Sequence, residues 1–264
     1  MKILAIGDSH GSLEKIKKIP IKNIDLILLT GDIGKADLAR KMFFENLHRA
    51  SKNLPAKIYS RSQEKEAYMQ IYNSTLNVIK YLSKFAPIYM IYGNVEPSNS
   101  EIKQQSKELG LNLPLLTDAI KKIKNTKIIN NRKVKFHGIT LAGIEYFLDT
   151  SWVEEFKPSD YEEILVHAKI ATQKTKKELN KFRNVDILIA HQPPYRILDT
   201  VNNKIVQKSW IGKHAGSKLI LDYIKKFPPK YVFCGHIHEN KGKKNLGKTQ
   251  IYNLGEAGYE IIEI

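Results

Sequence analysis

The chain has 264 residues, 42% hydrophobic and 27% charged, with one cysteine and a net charge of +16. That balance excludes a disordered or fibrous chain, no apolar run reaches the roughly 20 residues of a membrane-spanning helix, and a lone Cys234 excludes an internal disulfide. The basic excess makes a nucleic-acid partner worth weighing, but the lysines are dispersed and outnumber the arginines that suit bidentate phosphate contacts.

Ile3-Leu4-Ala5-Ile6 reads as a buried strand that runs straight into Gly7-Asp8-Ser9-His10-Gly11. With no leader-like cleavage site after it, a cytoplasmic setting is expected. In a strand, residues i and i+2 point the same way, so Asp8 and His10 are expected to converge. Ser12 to Ile19 reads as a short amphipathic helix closed by Pro20, and Asp25 to Thr30 as a second apolar strand ending in Gly31-Asp32. A strand, a helix and a strand in that space predict a parallel pairing.

Residues from about 35 to 86 read as a helical insertion in a single domain spanning 1–264. Its two helices are expected over Ala36 to Ser51 and Glu64 to Phe85, with Tyr68, Ile71, Tyr72, Ile79 and Leu82 of the second on one face. Pro87 to Tyr92 is a third strand, ending in Gly93-Asn94, and a helix follows from about Asn99 to Leu109. Lys127 to Ile129, Lys133 to Phe136 and Ile139 to Ile144 predict an antiparallel portion of sheet. Pro158 to Phe182 reads as a long helix with Tyr161, Ile164, Leu165, Ala168, Leu179 and Phe182 inward. Val185 to Ala190 is a strand ending in His191, and a helix is expected from Ser217 to Phe227. Lys230 to Cys234 is a strand ending in Gly235-His236-Ile237-His238. Thr249 to Leu254 and Tyr259 to Ile264 predict a closing hairpin around Gly255 to Gly258. His48, His137 and His167 fall outside the strand ends and read as ordinary helix or turn residues.

Five apolar strands thus end in metal-competent side chains: Asp8 and His10, Asp32, Asn94, His191, and His236 with His238. In α/β folds, ligands collect at the carboxyl ends of strands. Glycine precedes the ligand at four of these ends (Gly7, Gly31, Gly93, Gly235), which permits sharp turns and close backbone approach. Two carboxylates, four imidazoles and one amide are too many ligands for one ion. They suit two, at a separation of roughly 3.5–4 Å with a carboxylate oxygen shared between them. The mixed nitrogen and oxygen donors favour transition metals, manganese first and then iron, zinc, cobalt or nickel, over magnesium or calcium. A cationic cavity of that kind would draw a phosphate group.

Asp-x-His, Gly-Asp, Gly-Asn, His and Gly-His-x-His, in this order along the whole chain, resemble the calcineurin-like metallophosphoesterase superfamily. The run from His214-Ala215-Gly216-Ser217 to Gly235-His236-Ile237-His238-Glu239 is similar to a branch related to the Icc-type phosphoesterases. The resemblance implies an α/β fold, a four-layer α/β/β/α sandwich with the site at one rim. It also implies that Asp8, His10 and His238 hold one metal, that Asn94, His191 and His236 hold the other, and that Asp32 bridges. The activity implied is hydrolysis of a phosphomonoester or phosphodiester, a small substrate such as a nucleotide, by a metal-bridging hydroxide. A weakly catalytic binding or scaffold member and a nuclease are the alternatives; no membrane partner is expected. The phosphoprotein phosphatases of the superfamily carry an Asp-Arg-Gly after Gly-Asp, absent from Gly31-Asp32-Ile33-Gly34-Lys35.

One position departs from the family pattern. Where the family reads Gly-Asn-His-(Asp/Glu), this chain reads Gly93-Asn94-Val95-Glu96, and valine can neither donate a proton nor stabilise phosphoryl charge. The catalytic candidates are therefore His10, Asp32 and Asn94 from the metal shell, with His214 as a further proton donor, and substrates with good leaving groups are expected. Restoring the imidazole with Val95→His should raise turnover on esters with poor leaving groups, measured as kcat across a leaving-group series; no gain on any ester would refute this account.

Overall fold

The computed structural model describes residues 1–158, 160–202 and 208–264. The chain opens with β1 (Lys2–Ile6), α1 (Leu13–Lys17) and β2 (Leu26–Leu29), continues through α2 (Asp37–Ala50) and α3 (Arg61–Leu82), and returns with β3 (Ile88–Met90). Next come α4 (Asn99–Leu109), α5 (Leu116–Lys121), β4 (Thr126–Ile128), β5 (Arg132–Phe136) and β6 (Ile139–Ile144). After α6 (Thr150–Phe156) and α7 (Tyr161–Leu179), the chain alternates through β7 (Ile187–Ala190), α8 (Lys218–Lys226) and β8 (Tyr231–Cys234). It closes with β9 (Gly242–Leu246), β10 (Thr249–Asn253) and β11 (Tyr259–Glu263).

The strands form two mixed sheets, ordered β11-β1-β2-β3-β4 and β5-β6-β7-β8-β10-β9. The central strands are continuous apolar runs because both of their faces are covered. Alternation then sends each residue to one of three apolar layers. Ile3, Ala5, Leu26 and Leu28 point between the sheets, meeting Leu141, Ile187, Ile189 and Phe233 of the second sheet. Leu4, Ile6, Ile27 and Leu29 point outward against Ile16, Val78, Ile79 and Leu82 of the covering helices. On the far side, Ala142, Leu188 and Val232 pack under Leu179, Ile220 and Ile224. Helix, sheet, sheet, helix is the expected four-layer sandwich. Among the described residues, no helix is long and apolar enough to cross a membrane.

Helix caps match their local sequence. Ser60 and Gln63 form a reciprocal capping box at the start of α3, Ser98 and Glu101 another at α4, and Gly110 closes α4 in the left-handed conformation at φ 62°. The expected inward residues of α3 are buried, apart from the half-buried Tyr72. Helix α7 is shorter than the span expected from Pro158, and Ser159 lies outside the described residues. Ala168 and Leu179 are buried there as expected, and so is Phe182 beyond its end, whereas Tyr161, Ile164 and Leu165 are only half-buried.

Two strand expectations need correction, and one strand carries no sequence expectation. Only β5 and β6 form the antiparallel portion; β4 pairs in parallel with β3 and belongs to the first sheet. The closing segments are no hairpin. β10 pairs in parallel with β8, β11 runs antiparallel to β1, and the link through Gly255 to Gly258 crosses from one sheet to the other. The true hairpin joins β9 to β10. β9 escapes a hydrophobic reading because Gly-Lys-Lys-Asn-Leu is the charged sequence of an exposed sheet edge. The short helices α5 and α6 were also not expected.

Phe233 is fully buried between the sheets, its ring stacked at 5.3 Å on Tyr252. Phe233→Ala should cost about 3–5 kcal/mol of unfolding free energy, read from denaturant titration, because the gap between two rigid sheets cannot close.

Candidate metal centre

The carboxyl-end loops of β1, β2, β3, β7 and β8 meet at one rim. The loop after β1 lies against the loop after β2: His10 N–H donates to Asp32 O at 3.0 Å and Gly11 N–H to Ile33 O at 2.7 Å. The crossing between β10 and β11 braces the first of these, Ala257 N–H donating to Asp8 O at 2.8 Å. Three of the expected ligands hold left-handed backbone conformations, His10 at φ 43°, Asp32 at 46° and His236 at 67°. Each costs on the order of 1–3 kcal/mol and persists only because the surrounding contacts demand it. Strand alternation is therefore not what aims Asp8 and His10 together. Both lie beyond the end of β1, and the turn at His10 brings them to a common neighbour, His238.

Asp8 is fully buried. Its Oδ2 accepts the His236 N–H at 2.6 Å and lies 3.0 Å from His238 Nε2, which is itself 3.3 Å from His10 Nε2. Burial favours the neutral acid, but the neighbouring His191 and His238 outweigh it and hold the Asp8 carboxyl below its ordinary value. In Gly235-His236-Ile237-His238 the two imidazoles reach the rim while Ile237 turns into an apolar cluster with Phe156, Val201 and Ala215, which anchors the turn.

Asp32 Oδ1 accepts the Val95 N–H at 2.9 Å and stands 3.6 Å from His191 Nε2. Asn94 Oδ1 lies 3.0 Å from both His191 Nε2 and His236 Nδ1. Burial pushes the His236 imidazole down to about 3, with the His191 charge adding to it. Burial also lowers His10, whereas the Asp32 and Asp8 carboxylates outweigh burial at His191 and raise it. The Tyr146 ring packs against both His191 and His236, at 5.9 and 5.5 Å between centroids.

The seven strand-end residues are thus brought together. Asp8, His10 and His238 offer ligand atoms within 4.8 Å of one another, as do Asp8, Asp32 and His191, so Asp8 is the carboxylate common to both groups. Asn94 and His236 join the second group through His191. A cation fits this donor set. His191 Nδ1 lies 2.9 Å from the Thr30 carbonyl oxygen, which can only accept, so a neutral His191 carries its proton there. Its Nε2 lone pair then faces Asn94 Oδ1 across 3.0 Å, two acceptors that repel unless a cation or a second proton lies with them.

His214 is not part of this cluster. Its Nδ1 pairs with the buried Asp199 at 2.8 Å and its ring packs against Tyr195, in the segment that follows β7. Asp199 also accepts the Arg196 and Gly216 N–H groups, so it organises its own loop.

Glu96 is the organising residue that the motif reading passed over. Its buried carboxylate accepts four backbone N–H groups: Asp32 at 2.9 Å, Ile33 at 2.6 Å, Gly34 at 3.0 Å and Gly93 at 3.0 Å. It therefore ties the loop after β2 to the loop after β3. Burial and the Asp32 carboxylate push Glu96 up to about 7, against the pull of the Gly34 and Gly93 N–H groups. The visible signal was an acid two residues after Asn94, close to a loop whose N–H groups had no partner in regular structure. Thr30 and Tyr146 left no comparable sign. Glu96→Ala should cost at least about 3 kcal/mol of stability, since several buried N–H groups lose their acceptor. It should also weaken manganese binding by about 10–100-fold in calorimetry.

Among solved structures, one with 18% identity covers 99% of this chain and 94% of its own length at a TM-score of 0.62. The protein TT1561 of Thermus thermophilus matches at 15% identity over 97% of this chain and 90% of that one, with a TM-score of 0.49. A dimetal phosphatase from Danio rerio matches at 10% identity over 98% and 88%, also at 0.49. No curated protein matches. Residues 1–240 match the calcineurin-like phosphoesterase family, and the chain belongs to it.

Proposed function

We propose that this chain hydrolyses a small phosphomonoester or phosphodiester, with two divalent transition-metal ions held by Asp8, His10, Asp32, Asn94, His191, His236 and His238. The observation that carries the proposal is the convergence of these side chains at one rim, where His191 Nε2 stands 3.0 Å from Asn94 Oδ1 and 3.6 Å from Asp32 Oδ1. Manganese suits the mixed donors best, with iron, zinc, cobalt and nickel as the other candidates. Bound there, such ions would polarise a phosphoryl group and bring water within reach of ionisation near neutral pH.

The chain's own residues prepare that chemistry. The Thr30 carbonyl holds His191 in the tautomer whose Nε2 lone pair faces the centre. The Val95 and His236 N–H groups aim the Asp32 and Asp8 carboxylates, and Glu96 keeps two of the ligand loops in register. Tyr146 shields His191 and His236 on one side. Two carboxylates cannot neutralise two divalent ions, so the loaded rim would be cationic and attract phosphate. Val95 supplies no proton to the leaving group, and burial lowers His10, which favours the neutral imidazole that binds a metal. The single cysteine, buried with its Sγ 3.3 Å from Tyr252 O, fits a reducing, cytoplasmic setting.

The test joins metal content to turnover. Purified protein should hold close to two metals per chain and hydrolyse members of a panel of mono-, di- and cyclic nucleotide esters in manganese. Asp32→Asn should lose at least about 1,000-fold in kcat. Well under two metals with no turnover on any ester would leave a binding or scaffold role instead.

A further inference from the structure

Helix α2 is amphipathic, yet it buries none of its residues. Ala39, Met42, Phe43 and Asn46 fall at the i, i+3, i+4, i+7 spacing of a single face, and all line a groove of about 510 Å³. Glu64, Ala67, Tyr68 and Ile71 repeat that spacing on the facing side of α3. The third wall is the segment from Asn94 through Val95 to Pro97, so the groove begins at a proposed metal ligand. The volume lies within the roughly 300–1,000 Å³ of small-molecule sites. Phe43 is 64% exposed, an aromatic ring standing at the rim with the Phe44 ring edge-on to it at 5.6 Å.

Three features specify what fits. The walls are aromatic and apolar, with Phe43, Tyr59, Tyr68 and Met42 among them. Despite the net charge of +16, none of the described residues that line the groove is a lysine or arginine, whereas Glu64 and Glu101 line it. A second phosphate or a nucleic-acid backbone would be repelled there. Val95, at the position where the family places its acid, is 8% exposed and packs with Ala36 and Ile71, with Ala39 against them. Its side chain joins the apolar wall instead of offering a proton.

We infer that this groove receives the uncharged aromatic ring of the ester's leaving group, seated beside Asn94 against α2, α3 and Val95. The inference rests on the phosphoesterase reading and names its substrate class: phosphate esters with one phosphate and a neutral ring, carried either directly on a phenolic oxygen or on a nucleoside. In hydrolysis the phosphorus–oxygen bond to the leaving group breaks, and that oxygen departs with the electron pair and takes a proton from solvent. The oxygen of water is left on phosphorus, its proton going to solvent. A phenolic oxygen, with a pKa of about 10, leaves readily without the acid that Val95 lacks.

Two measurements test it. In the first, 2-naphthol and adenosine are titrated against chelator-treated protein and followed by ligand-observed NMR. Saturable binding of at least one is expected, weakened about tenfold or more by Phe43→Ser, an exposed change that leaves the core alone, and by Ala39→Phe, which fills the groove. In the second, kcat/KM in manganese is compared for 2-naphthyl phosphate, adenosine 5′-monophosphate and glycerol 3-phosphate. At least one ring ester should exceed glycerol 3-phosphate by about tenfold or more, and that ratio should fall in both variants. Whichever ring ester leads identifies the phenolic or the nucleoside source. Absence of ring binding, or binding that neither variant weakens, would overturn the inference even if esters are hydrolysed. Ring binding that both variants weaken, in a protein that hydrolyses no ester, would uphold the groove and remove the phosphoesterase reading.

Discussion

The Asp8 carboxylate leaves the first sheet and is received by the second: its Oδ2 accepts the His236 N–H at 2.6 Å and stands 3.0 Å from His238 Nε2. This contact spans the two halves of the sandwich at the rim where the candidate ligands gather. It demands a glycine opposite, because a Cβ at Gly235 would collide with the Asp8 carboxylate. It also needs the crossing between β10 and β11, whose Ala257 N–H braces the Asp8 carbonyl. A buried carboxylate is tolerable only where donors and positive charge surround it, and Asp8 has both.

Glu96 plays the matching part within the first sheet. One side chain satisfies the N–H groups of Asp32, Ile33, Gly34 and Gly93, and so allows a tight loop that carries Asp32 at a positive φ. Three of the candidate ligands sit in that sparsely populated backbone region. Their strain is offset by contacts at one another's loops, which makes the rim a single cooperative unit rather than a collection of independent ligands.

Beside that unit lies a surface of different character. Helices α2 and α3 enter between β2 and β3 and present an apolar wall that meets the rim at Asn94 and Val95. The departure of Val95 from the family pattern and the open aromatic face of α2 are two sides of one arrangement: the residue that cannot donate a proton forms part of the apolar groove beside the rim. None of the described residues that line this surface is a lysine or arginine.

The amino-acid order by itself determined the strands, since each central one is an apolar run stopped by glycine or a polar ligand, and it determined which seven side chains those strands deliver. It located α2, α3 and α4 closely, because periodicity and capping residues are local. Which sheet a strand joins was not legible: β4 and β11 pair with partners chosen by long-range packing, and the charged edge strand β9 carries no apolar pattern to read. Nor was the aim of Asp8 and His10, which follows from left-handed turns held by bonds between loops rather than from strand alternation. The bracing role of Glu96 and the α2–α3 groove became visible only in three dimensions. Three of the four N–H groups that Glu96 satisfies belong to the distant loop after β2, and the α2 and α3 walls are likewise distant from Val95, so folding alone brings them within contact.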